Sequence, residues 1–159
     1  MSAKMHNSQT GRLWSMVSVL VPVLAAAVVP SVGADEPAGP SQAALEAISQ
    51  LNSQDTYTRK IALLHLESLR EPASADAILP FVDSKDEIVR ADSLRALAAI
   101  QGVEAIPLLL NKLETDKRPR VRWSILLALE PLRGQQPALL HTFIDSLDDY
   151  STEVRMTAI

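Results

Sequence analysis

The chain has no cysteine among its 159 residues. Disulfides, thiolate metal sites, cysteine nucleophiles and thiol-linked lipids are therefore excluded together. Histidine is scarce as well: His6, His65 and His141 are the only three, and none stands in a His-Glu pair or a His-x-x-x-His spacing that an iron or zinc centre requires. A glycine-rich phosphate loop, a Gly-x-Ser-x-Gly elbow and a pair of acids with a matched base are also missing, so no residue is marked for catalysis and no metal or cofactor is expected. Aromatics are 4% and glycines number 5, while Leu and Ala dominate a chain that is 47% hydrophobic and 21% charged. That balance belongs to a folded protein rich in helix formers and poor in the residues of strands. The fold class expected is all-α.

The first 34 residues differ from the rest. Residues 1–12 carry Lys4 and Arg12 and no acid, and residues 13–34 form an uncharged stretch of 22 that ends in Val32-Gly33-Ala34. Basic, then apolar, then small is the layout of a secretory signal, with cleavage after Ala34 leaving Asp35-Glu36-Pro37 at the new N-terminus. An uncleaved anchor at 13–34 is the competing reading, since the stretch is long enough to cross a bilayer; Pro22 and Pro30 within it favour cleavage. Either way an exported body is expected, periplasmic or extracellular, touching membrane only through this segment. Without Lys4 and Arg12 the body has 13 basic residues against 19 acids, near −6. Such a charge argues against nucleic acid as a partner. Residues 35–40, with two prolines and a glycine, read as a linker to a domain at 41–159.

That domain repeats. With Arg59, Arg90, Arg122 and Arg155 in register the spacings are 31, 32 and 33 residues. Four residues after each arginine stand Leu63, Leu94, Leu126 and Ile159; seven after stand Leu66, Leu97 and Leu129; ten after stand Leu69, Ile100 and Leu132. Steps of three and four place them on one helical stripe. Small residues at Ala62, Ser93, Ala96, Ala128 and Ala158 would let a neighbouring helix approach closely. Each stripe follows a second apolar segment, with breaks at 70–74, 101–103 and 133–137. Pro80 and Pro107 within these first segments should kink a helix or mark its first turn. Helix, turn, helix with a period near 32 residues is the signature of a solenoid.

In its second helices the chain resembles the HEAT-repeat family, in the bacterial HEAT-like form. The family's Val-Arg-x-x-Ala-x-x-Ala-Leu pattern is approached by Val89-Arg90 with Ser93, Ala96 and Leu97, and by Val121-Arg122 with Ile125, Ala128 and Leu129, and residues 104–116 look like its first helix. The first unit departs most, with Thr58 for Val and His65 where the others have Ala. The resemblance implies a right-handed solenoid of antiparallel helix pairs, here about three full repeats and a fourth that stops one turn into its second helix. It also implies that Asp55, Asp86, Asp116 and Asp149 join Arg59, Arg90, Arg122 and Arg155 in a structural ladder rather than a binding site.

The third turn stands apart. Lys117, Arg118, Arg120 and Arg122 fall within six residues and Trp123 follows, in an otherwise acidic body. A basic loop beside an aromatic can capture an acidic partner, so Lys117, Arg118, Arg120 and Trp123 form the candidate contact site. His65 is expected to be a packed histidine. The exposed side of the second helices is expected to present Lys60, Asp92, Arg95 and Ser124. The function expected is a non-catalytic exported scaffold that binds a protein through the concave face lined by second helices. Two other readings stand beside it: the repeat arm of a larger exported protein whose activity lies beyond residue 159, and, by resemblance of the repeat alone, a lyase that attaches bilin pigments.

Overall fold

A computed structural model describes residues 39–159. The signal or anchor segment, expected as a lone detached helix, and most of the linker lie outside the described residues. Among the described residues there are eight α-helices: α1 (Gln42–Gln50), α2 (Thr56–Leu69), α3 (Ala75–Ile78), α4 (Glu87–Gln101), α5 (Ile106–Thr115), α6 (Pro119–Leu129), α7 (Leu139–Ser146) and α8 (Thr152–Thr157). They pair in order as four units, odd helix then even helix.

Local chemistry sets the helix ends. Ser41, Asp55 and Asp86 accept hydrogen bonds from the backbone N–H groups of Ala44, Thr58 and Ile88 at 3.2, 2.8 and 3.0 Å, each satisfying a donor that an α-helix start leaves free. α4 ends at Gly102, whose φ of 59° lies in the left-handed region that glycine enters without a Cβ penalty. The two prolines act differently. Pro107 sits in the first turn of α5, where no N–H is needed, and the helix runs on. Pro80 falls further in, so the first helix of the second unit breaks into the four residues of α3 and a 3-10 stretch, Leu79–Asp83.

The second helices form a continuous layer, α2 on α4, α4 on α6 and α6 on α8, whereas α1 and α5 lie chiefly on the second helix of their own unit. The exposed side of this second-helix layer, away from the first helices, is the inner face. The core of the layer is the predicted stripe of the first three units: Leu63, Leu94, Leu126, Leu66, Leu97 and Leu129 are all 0% exposed, whereas Ile159, expected at the same position of the fourth, is 86% exposed. Ala62, Ser93 and Ala96 are fully buried too, and their small size brings the backbones together. Beyond α6, Arg133 lies over the Phe143 ring at 5.0 Å and ties the fourth unit on.

Stacking overturns three expectations. His65 is exposed, although Ala96 at the same register of α4 is buried. That flank faces the preceding second helix, and among the described residues α2 has none. Asp92 and Ser124, expected on the open face, are only 4% and 2% exposed, because they stand on the same flank of α4 and α6, where a preceding helix does cover them. Ile61, their counterpart on α2, is 42% exposed.

The turns are joined by ion pairs that run from one unit to the next. Arg90 donates from Nε and Nη2 to the two oxygens of Asp116 at 2.6 and 3.2 Å, and from Nη1 to the Ser84 carbonyl at 2.5 Å. Arg122 repeats this with Asp149 at 2.7 and 2.8 Å and with the Asp116 carbonyl at 3.1 Å. Burial pushes the Asp116 carboxyl up, but the Arg90 hydrogen bond and the Arg118 N–H outweigh it and leave it below the ordinary carboxylate range. The Arg122 hydrogen bond likewise holds Asp149 low. Arg155 turns to its own loop, donating to the Asp149 and Tyr150 carbonyls and to Thr152.

The four acids are not equivalent. Asp116 and Asp149 lie six residues before their arginines, where each also accepts a backbone N–H two residues on. Asp55 and Asp86 lie four before and serve as helix caps. In the second unit the six-before position is Ser84, so Arg59 has no acid to clasp: it approaches Asp86 at 3.6 Å, Thr56 donates to Asp86 at 2.5 Å, and the buried Arg59 Nε has no partner. Replacing Ser84→Asp together with Asp86→Ser recreates the arrangement of the fourth unit. We expect Asp86→Ser alone to lower the urea midpoint and the double variant to regain that loss and add about 1 kcal/mol, the net worth of a charge-assisted hydrogen bond at a part-exposed site. A double variant no more stable than Asp86→Ser alone would show that the first rung is not limited by its missing acid.

Candidate protein-binding face

The inner face is built from the outward flanks of the even helices. Lys60 from α2, Arg95 from α4, and Arg120, Trp123 and Leu127 from α6, each one or five after or two before the arginine of its unit, come to one surface. Arg95 is held there. It donates to both oxygens of Glu67 at 2.9 and 2.8 Å, across from α4 to α2, and to Asp92 Oδ1 at 3.3 Å. Beneath it the second oxygen of Asp92 is buried with no partner. Burial pushes the Asp92 carboxyl above its ordinary value, and the cations of Arg95, Lys60 and Arg120 offset this only in part.

Two grooves open on this face. One, of about 510 Å³, lies between α6 and α8 and is lined by Arg120, Trp123, Glu153 and Met156 together with Thr152 and Thr157. Met156 is 66% exposed and Trp123 half-buried, so the groove offers an apolar wall with a cation at its mouth. The other, of about 340 Å³, crosses the C-terminal ends of α2, α4 and α6 beside Glu67, Arg95 and Leu127.

The basic loop is divided by the fold. Arg120 and Trp123 turn to the inner face, while Lys117 and Arg118 line a different groove along the turns. Adjacent residues at the start of α6 point apart because the chain turns from loop to helix at Pro119. The loop also breaks a local rule. Arg118 occupies the N-cap position of α6 with no side-chain cap, whereas Asp55 and Asp86 cap α2 and α4; Ser151, at the start of α8, makes no cap bond either. Cations at the positive end of a helix dipole are unfavourable. The ladder residues stay at the turn edge, Asp55, Asp86, Asp116 and Asp149 in the turns and Arg59, Arg90, Arg122 and Arg155 in the first turns of the even helices, and line neither inner-face groove.

Sequence reading missed the Glu67–Arg95 clasp and the buried Asp92. The clasp has a signal in retrospect, since Glu67 stands eight after Arg59 and Arg95 five after Arg90, positions that meet once adjacent helices are in register.

A layer of parallel second helices, backed by first helices and joined by rungs from unit to unit, defines a helical repeat scaffold. The comparison with protein families agrees: the family model described as HEAT repeats matches residues 44–130, from α1 into the 3-10 turn after α6, and the chain belongs to the HEAT-repeat family. Repeats of this family generally mediate protein–protein contacts. Among curated proteins none matches this sequence.

Two opposite pH effects follow from the carboxyls. Asp86, Asp116 and Asp149 have folded values below the unfolded one, so their stabilisation is present above about pH 4 and is lost as pH falls through the folded values. Asp92 has a raised value, so it costs stability when ionised, and that cost is relieved as pH falls. The urea midpoint is expected to rise as pH falls through the raised Asp92 value and to drop again below about pH 4. In Asp92→Asn the rise should vanish and the drop remain; a rise that persists in this variant would assign it to another group.

Proposed function

We propose that this protein is an exported, non-catalytic scaffold that binds a protein partner on the inner face of its second helices. The observation that carries the reading is the groove between α6 and α8, where Arg120 stands beside Trp123 and an exposed Met156. An aromatic and a thioether give contact area, and arginine gives direction to an acceptor; these residue types dominate the binding energy of protein interfaces. The acids that would otherwise invite a catalytic reading have structural work, Asp55 and Asp86 at helix caps and Asp116 and Asp149 in the rungs. Export is supported by the basic, apolar and small-residue order of residues 1–34.

Affinity capture from the exported fraction tests this, using the parent and an Arg120→Glu/Trp123→Ala variant as baits. A protein recovered by the parent, lost with the variant and bound directly when purified is the expected result, with the exported bait starting at Asp35 by N-terminal sequencing. Equal recovery by both baits would remove the inner face from the account, and a bait retained in the cytoplasm would remove export.

A further inference from the structure

A second surface lies on the turns, away from the inner face. Lys85 on the α3–α4 turn and Lys117 and Arg118 on the α5–α6 turn border a groove of about 440 Å³, with Lys112 and the Arg90–Asp116 pair on its floor. Its lining holds five cations against two carboxylates, Asp83 and Asp116, in a chain whose formal charge is −4. The floor is internally neutralised: Arg90 clasps Asp116, and Lys112 pairs with Asp83. The rim is not. Lys85 and Lys117 are exposed and form no ion pair among the described residues, and Arg118, largely in solvent, reaches the half-buried Glu87 only at 3.5 Å. Exposed pairs of that kind contribute little and yield readily to a better acceptor.

The rim is also pre-positioned. The single guanidinium of Arg90 bonds the Ser84 carbonyl in one turn and the Asp116 carboxylate in the next, so one side chain fixes the separation of the two cation-bearing loops. Asp116 in turn accepts the Arg118 N–H at 2.9 Å, which sets where the second loop starts. Holding cations on two rigid loops lowers the entropy an acidic ligand must overcome to meet them together.

We propose that this turn-edge groove docks a short acidic segment of a protein partner, its Asp or Glu carboxylates lying between Lys85 on one loop and Lys117 and Arg118 on the other. The groove is an open trough, which suits an extended chain. Length is limited by the neighbouring turn, where Glu114, Asp145, Asp148 and Asp149 border the next groove and repel a continuing run of negative charge. That charge pattern favours a local acidic motif over a long polyanion.

The test is fluorescence anisotropy with the full chain and a short fluorescein-labelled peptide of alternating Asp and Ser. The parent should bind, binding should weaken with added salt, and Lys85→Glu/Lys117→Glu should bind at least about ten-fold more weakly, a change of about 1.4 kcal/mol. Both lysines are exposed and unpaired, so the variant should melt with the parent by circular dichroism, and Trp123→Ala should bind the peptide as the parent does. Binding unchanged in the double variant, or equal binding of the peptide with Asn in place of Asp, would overturn the proposal. So would self-association of the parent in sedimentation velocity that the double variant abolishes, because the occupant would then be a second copy of this chain.

Discussion

The stacking of this solenoid depends on one interaction repeated along its turns, an arginine at the start of a second helix clasping an aspartate in the turn of the next unit. Arg90 with Asp116 and Arg122 with Asp149 are bidentate, half or more buried at their heads, and each also holds the carbonyl of its own turn. The core contributes more energy: truncating one of its buried leucines to alanine costs about 2 to 5 kcal/mol. Yet a stripe of leucines repeating at helical spacing is a poor ruler, because a slide by one turn of about 5.4 Å again sets apolar residues against apolar residues. A planar guanidinium meeting a carboxylate in two hydrogen bonds tolerates no such slide. Burial drives the units together, and the rungs choose where they stop.

The same division explains what could be read in advance. The columns at Leu63, Leu94 and Leu126 and at Leu66, Leu97 and Leu129 are legible because a helix shows its buried stripe as a period within its own sequence. The flanks are not, because their burial is decided by neighbouring units. Identical register positions therefore have different fates: His65 is in solvent and Ala96 in the core, Ile61 is exposed and Asp92 buried. The acids of the turns mislead for another reason. Asp86 and Asp116 both precede an arginine, but a two-residue shift makes one a helix cap and the other a clasp. Pro80 and Pro107 differ likewise, since a proline's effect depends on how many turns of helix stand before it.

The candidate contact residues were visible as a group and divided by the fold. Lys117, Arg118, Arg120 and Trp123 are contiguous in sequence, and the entry into α6 sends the first two to the turn edge and the last two to the inner face. An uncapped helix start carrying Arg118 sacrifices local stability where α2 and α4 keep a capping aspartate. Departures of this kind concentrate where a surface is shaped for something other than folding. Asp92, buried with an unpartnered oxygen beneath Arg95, is a second such departure, and it couples the charge of the inner face to the packing of α2 on α4.

A double-mutant cycle on the second rung tests the central claim most directly. Arg90→Met, Asp116→Asn and the pair together are unfolded in urea at neutral pH, and the coupling energy is taken from the three differences. Each single change should destabilise, and the coupling should be about 0.5 to 3 kcal/mol, the range for residues in direct contact within one network. Additive effects, with coupling near zero, would contradict it and leave the stacking of the units to the core alone.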